Sequence, residues 1–252
     1  MAHPARRYDY WLGGKDHFAA DRESGDAIAE VFPSVRTAAR QNRRFLGRAV
    51  RHLVAECGIR QILDIGTGLP SAENTHTVAQ ATASDSRIVY VDNDPLVMVH
   101  ARALLTSTPE GRTDYVEADL RTPERILAAP ELSATLDMLQ PVALMLVAVV
   151  HFLSDQDDPY GVVARLLDSL APGSYLVITH STPEYWREDL RAKINAKQFG
   201  DFYPRERHDF ARFLNGLDLL PPGIVPVARW RPDEEPPDDE DVCMYAAVGR
   251  KP

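Results

Sequence analysis

Hydrophobic and polar positions change their period repeatedly along the 252-residue chain. From residue 36, stretches with apolar residues three and four apart alternate with short continuous apolar runs, at the spacing of βαβ units. The first stretch, residues 36–56, places Ala38, Phe45, Leu46, Ala49, Val50 and Leu53 on one helical face. Its other face carries Arg36, Arg40, Arg43, Arg44, Arg48 and Arg51, and Gly58 follows as a cap. Strands are expected at 61–65, 87–91, 113–118, 142–150 and 175–179, with two more candidates at 224–230 and 242–248. Helices are expected between them at 71–82, from Asp94, at 122–129, 158–169, 183–197 and 206–215. Asp94 followed by Pro95 is a start signal, the carboxylate capping and the proline fixing the first turn. The apolar run 142–150 suits a central parallel strand covered on both faces. These elements predict an α/β chain with a mostly parallel seven-stranded sheet, helices on both faces, and two units: an N-terminal arm at 1–35 and a domain at 36–252.

Composition narrows the class. The chain is 44% hydrophobic and 26% charged, the range of an ordinary globular domain with a substantial core. Its net charge of -9 argues against a general binder of nucleic acid or anionic membrane. Seven of its carboxylates lie in the Pro-rich segment 232–241, without which the net charge would be -2, so the acidity reads mainly as one solvated loop. The arginine face of the first stretch is the opposite local field, suited to an acidic partner or to the protein's own acids. Cys57 and Cys243 form neither a metal spacing nor a disulfide framework, which fits a reducing cytoplasm. No apolar run approaches the ~20 residues that cross a bilayer, so no membrane span is expected.

The informative local sequence is Asp64-Ile65-Gly66-Thr67-Gly68, a strand running into a glycine loop that lets a ligand approach the backbone. A dinucleotide fingerprint would carry a third glycine where Ser71 stands, and the carboxylate of Asp64 would repel a pyrophosphate. That carboxylate would instead attract an ammonium. Asp92 ends the next strand, where a carboxylate accepts both hydroxyls of a ribose, and Asp119 follows the third, in reach of an adenine amino group. Three acids at successive strand ends, with glycines after the first alone, fit a nucleoside bearing a cationic amino acid, which describes S-adenosylmethionine.

At this point the chain resembles the Rossmann-like class I methyltransferases. It is most similar to one bacterial family of S-adenosylmethionine-dependent methyltransferases of unassigned substrate. The likeness is carried by residues 4–18 (PARRYDYWLGGKDHF), 64–70 (DIGTGLP), 90–95 (YVDNDP) and 147–153 (VAVVHFL). The resemblance implies cofactor contacts at Asp64, Gly66, Thr67, Gly68, Asp92, Asn93 and Asp119, with S-adenosylhomocysteine as product and no substrate named.

Methyl transfer is an in-line displacement, so alignment and exclusion of water supply most of the catalysis and no metal is called for. For an oxygen or nitrogen acceptor, His151 at the end of the fourth strand is the candidate base, and His180 after the fifth is a further pocket residue. Tyr10, Trp11, Lys15, His17 and Phe18 surround Gly13-Gly14 in a segment too polar for a core and too aromatic for a linker, the composition of a lid over cofactor and substrate. Arg6, Arg7 and Lys15 are candidate partners of the cofactor carboxylate. The expected partner is a small-molecule acceptor. A silent S-adenosylmethionine-binding regulator would keep the three-acid site without turnover; a nicotinamide-dependent oxidoreductase is disfavoured by Asp64 and Ser71. A nucleic-acid methyltransferase would need an Asn/Asp-Pro-Pro-aromatic tetrapeptide or an RNA-binding module, neither of which the sequence contains.

Overall fold

Each buried strand sends alternate side chains into two separate cores. In β1 (Gln61–Ile65), Ile62 joins one core and Leu63 and Ile65 the other. The same alternation runs through β2 (Arg87–Asp92), with Ile88 and Tyr90 against Val89 and Val91, and β4 (Ala143–Leu146), with Met145 against Leu144. A sheet with helices on both faces has to bury both sides, which is why these runs are apolar at every position. The structure is a computed structural model and describes residues 2–70, 73–197 and 201–252.

Two helices precede the sheet, α1 (Pro4–Leu12) and α2 (Ala19–Val31), and pack on the long α3 (Val35–Ala55). After β1 come α4 (Thr75–Thr82), β2, α5 (Pro95–Leu104), β3 (Arg112–Glu117), α6 (Pro123–Leu127) and α7 (Pro130–Thr135). Then follow β4, α8 (Pro159–Asp168), β5 (Tyr175–Ser181), α9 (Glu188–Lys197) and α10 (Arg207–Arg212). Short strands β6 (Asp218–Leu219) and β7 (Val225–Pro226) lead to β8 (Met244–Arg250). The sheet order is β3-β2-β1-β4-β5-β8-β6, with β7 also on β8. Strands β1 to β5 are parallel, and β8 is antiparallel to β5, β6 and β7. The sheet has eight strands where seven are expected: of the expected 224–230 the structure keeps β7 alone, and β6 lies outside the expected strands.

Several boundaries move for identifiable reasons. The expected strand 142–150 stops at Leu146; the amide of Ala148 turns to Thr179 Oγ1 at 2.8 Å, and Ala148 itself is left-handed at φ 56. The chain thus bends over the carboxyl edge of the sheet. The expected strand 224–230 stops at Pro226, which has no N–H to continue the ladder. Arg48 then takes the carbonyls of Trp230 and Val227, at 2.9 and 3.0 Å. Arg48 belongs by spacing to the exposed arginine face, yet it is 6% exposed. The helix expected from Ser71 begins at Thr75, and Ser71 lies outside the described residues. The acidic segment is paired rather than merely solvated: Glu234 meets Arg44, Asp233 meets Arg51, and Ser34 Oγ donates to Asp241 at 2.7 Å.

Candidate functional site

Where β1 ends, the amides of Gly66 and Thr67 both donate to Val91 O, and Thr67 Oγ1 donates to Asp64 O. This folds the loop back over β2. A Cβ on Gly66 would lie 2.5 Å from Val149 Cγ2, so only glycine lets the loop after β4 close against it. Gly68 has φ 69, but among the described residues a Cβ there would meet nothing within 4 Å. The Gly68 amide donates to Asp92 Oδ2 at 2.9 Å and the Asp94 amide to Oδ1 at 3.0 Å. Burial raises the Asp92 carboxyl above its ordinary value against these two bonds. Asp64 is buried more completely and accepts from Thr75 Oγ1 at 2.6 Å; burial pushes its carboxyl up to about 6. Asn93 Nδ2 donates to Asp119 Oδ2 at 2.8 Å. Burial works against the Asp119 charge, but the Arg121 amide, Asn93 and the Arg121 guanidinium together hold its carboxyl below the usual range. The seven candidate cofactor residues therefore share one sheet edge, linked from Asp64 through the loop to Asp92, with Asn93 bonded to Asp119.

The arm residues are divided. Tyr10 Oη donates to Asp26 and Trp11 Nε1 to Gly25 O, both on α2, so these aromatics pack within the arm. His17 Nδ1 lies 3.0 Å from the buried carboxylate of Asp9. Lys15 and Phe18 are exposed, with the Arg6 guanidinium 5.4 Å from the Phe18 ring. Arg6 and His3 reach across to Asp94, and Asp16 meets His100 of α5 at 3.4 Å. The arm is thus fastened to the end of β2 and to α5, beside the acids. Arg6, a candidate partner of the cofactor carboxylate, is already held by Asp94.

At the ends of β4 and β5, His151 is buried among Phe152, Phe202 and His180, and its Nδ1 has no hydrogen-bond partner among the described residues. Burial, then the neighbouring His180 and Arg205, drop its pKa well below the ordinary histidine value, so the ring is neutral at physiological pH. His180 donates from Nδ1 to Ser181 O, and its Nε2 accepts from Arg205 Nη1 at 3.1 Å, which fixes its tautomer. Burial takes His180 down to about 3. Arg205 also holds Leu153 O and Asp155. Beside this cluster opens a cleft of about 670 Å3 lined by Tyr160, Phe202, Tyr203, Arg205, Asp209 and Arg212. Arg205 was not legible in the sequence, because its partners lie 25 and 52 residues away. Thr75, by contrast, carries a local signal, a hydroxyl opening the helix after the glycine loop.

Among the described residues no cluster of three or more His, Cys, Asp or Glu could hold a metal ion, and no helix is long and apolar enough to cross a membrane.

A parallel sheet with a reversed last strand, a glycine loop after β1 and acids at the next strand ends define a Rossmann-like methyltransferase. The chain matches the S-adenosyl methyltransferase family over residues 1–252 and belongs to it. It is a member of a family of S-adenosylmethionine-dependent enzymes. The crystal structure of a DUF574 family protein from Streptomyces avermitilis is similar, at 48% identity and a TM-score of 0.94, covering 100% of this chain and 98% of that one. A candidate methyltransferase from Thermobifida fusca is 40% identical with a TM-score of 0.90, covering 100% and 95%. The magnesium protoporphyrin IX methyltransferase of Synechocystis, solved with S-adenosylhomocysteine, shares the fold at 14% identity and a TM-score of 0.60, covering 98% and 93%. No curated protein matches the chain.

Proposed function

We propose that the protein transfers the methyl group of S-adenosylmethionine to an oxygen or nitrogen of a small-molecule acceptor, releasing S-adenosylhomocysteine. The observation that carries this reading is the loop at Gly68, where no described residue lies within 4 Å of where a Cβ would stand and whose amide is bonded to Asp92: a cradle bordered by acids and closed from below by a loop that tolerates only glycine at 66. The donor set suits the cofactor. Asp64 faces the ammonium, Asp92 the ribose hydroxyls, and Asp119 with Asn93 the adenine, while Gly66, Thr67 and Gly68 form the floor. When bound, S-adenosylmethionine supplies an electrophilic methyl on a cationic sulfur.

The chain's own groups align and enclose the acceptor. His151, neutral and with an unpartnered Nδ1, receives the acceptor's O–H or N–H and so orients its lone pair. Its low basicity makes alignment its larger contribution. The arm, residues 1–35, acts as the cover that keeps water out; it carries Lys15, His17 and Phe18, and Tyr10 and Trp11 stiffen it through their bonds to α2. The cleft beside Tyr160 and Phe202 is the acceptor's approach. Two free cysteines fit a reducing cytoplasm as the working compartment.

Calorimetry with S-adenosylmethionine, S-adenosylhomocysteine and NADH tests the reading, with Asp92→Asn alongside and labelled methyl transfer screened over small-molecule pools. Binding of the first two ligands, weakened in the variant and followed by turnover, supports it. Binding without turnover on any acceptor points to the regulator, and failure of the folded protein to bind either sulfur nucleoside overturns the proposal.

A further inference from the structure

The amino-acid end of the proposed cofactor carries a carboxylate as well as an ammonium, and a buried carboxylate needs a cation. The arm's cations are poorly placed for it. Arg6 is bonded to Asp94 through Nε and Nη2, Lys15 is exposed, and Arg7, whose Nε–H is also buried without a partner among the described residues, donates through Nη1 to Ser24 on α2 and is not among the charges that act on Asp64. Arg43, on α3, is differently situated. Its Nη2 donates to Glu73 O at 2.6 Å and lies 3.5 Å from Asn74 Oδ1, at the start of α4. Asp64 is bonded to the very next residue, Thr75. Arg43 and Asp64 therefore grip consecutive residues of one helix start, the guanidinium near enough to favour the Asp64 charge. The Arg43 Nε–H is buried and has no partner among the described residues. Guanidinium presents its donors as a planar fork that matches a carboxylate.

We infer that Arg43 receives the carboxylate of the cofactor's amino-acid end through its unpartnered Nε–H, opposite Asp64, so that the two residues form a clamp for a zwitterion. The inference rests on the proposed cofactor site and adds a discrimination to it: the enzyme selects nucleosides that carry a free α-amino acid. It also gives α3 a role beyond packing, since the residue that reads the carboxylate comes from the helix on which the arm rests.

The test uses the full chain and three probes: S-adenosylhomocysteine, its decarboxylated analogue, which keeps the amine, and methylthioadenosine, which lacks the whole amino-acid end. In Arg43→Gln, affinity for S-adenosylhomocysteine should fall about tenfold to a hundredfold, while affinity for the other two stays unchanged. The native protein alone should already bind the decarboxylated analogue more weakly than S-adenosylhomocysteine by a similar factor, a comparison independent of how the variant folds. Arg43→Lys, which keeps the charge and loses the fork, should fall between. Equal weakening of all three probes by Arg43→Gln, equal native affinity for S-adenosylhomocysteine and the decarboxylated analogue, or the same selective loss in Arg7→Gln would overturn the assignment. If the native protein bound none of the probes, the cofactor site itself would fall first.

Discussion

Arg6 of α1 bonds Asp94 at the end of β2 through Nε at 2.8 Å and Nη2 at 3.3 Å, tying the N-terminal arm to the residue that also caps α5. Burial opposes the Asp94 charge, but Arg6, the Leu96 amide and His3 outweigh it and hold the carboxyl below its ordinary value. A depressed carboxyl stabilises the fold above its unfolded pKa and loses that contribution as pH falls through the folded one. Arg6→Ala should cost about 1.5–3 kcal/mol and leave the arm open to proteolysis, an effect that fades in acid. Melting curves and limited proteolysis across pH check it.

Asp64 behaves in the opposite sense. Its carboxyl, pushed up to about 6, favours the ligand-free fold at low pH and opposes it as pH rises through 6. The proposed contact with the cofactor ammonium needs the charged form, so affinity for S-adenosylhomocysteine should drop as pH falls through about 6. In Asp64→Asn that pH dependence should flatten at a uniformly weak affinity. Calorimetry over a pH series decides it.

The two glycines of the loop should separate stability from binding. Gly66→Ala adds a Cβ 2.5 Å from Val149 and should destabilise the fold by about 2–3 kcal/mol. Gly68→Ala meets none of the described residues and should cost about 1 kcal/mol from its left-handed backbone alone, while its methyl enters the space proposed for the cofactor and weakens binding. Thermal midpoints and titrations on the same preparations distinguish the two.

Neutralising the acidic segment tests how it is held. Asp233→Asn with Glu234→Gln removes its pairs with Arg51 and Arg44, which are exposed, so the melting temperature should change little. Cleavage within 232–241 should become faster, and added salt should reproduce the effect in the native protein.

The core of this fold is written in local pattern. Asp94-Pro95 opens α5 as its chemistry requires, and the apolar face of α3 is buried at each of the six positions read from spacing. The acids were legible because strand ends are points where periodicity breaks. What escaped depends on contacts across the chain. β6 is two residues long and exists through β8, leaving no periodicity to read. The helix α2 is rich in charge, and its identity comes from Asp21 taking the amides of His3 and Phe18. Arg48 looked like a surface residue because helical spacing cannot see the two carbonyls, 179 and 182 residues away, that satisfy it.

The position of β8 bears on how the molecule is made. It is the last strand in sequence, yet it lies inside the sheet, between β5 and the β6–β7 edge, and Lys251 just beyond it donates to the carbonyls of Leu167 and Leu170 at the end of α8. During synthesis β5 waits with an open apolar flank until some 60 further residues have left the ribosome. The acids and the glycine loop belong to the half that emerges first, so a nascent chain displays the edge proposed for the cofactor before its sheet is closed. Early occupation of that edge would act as a folding aid, and yield of native protein should follow cofactor supply during translation.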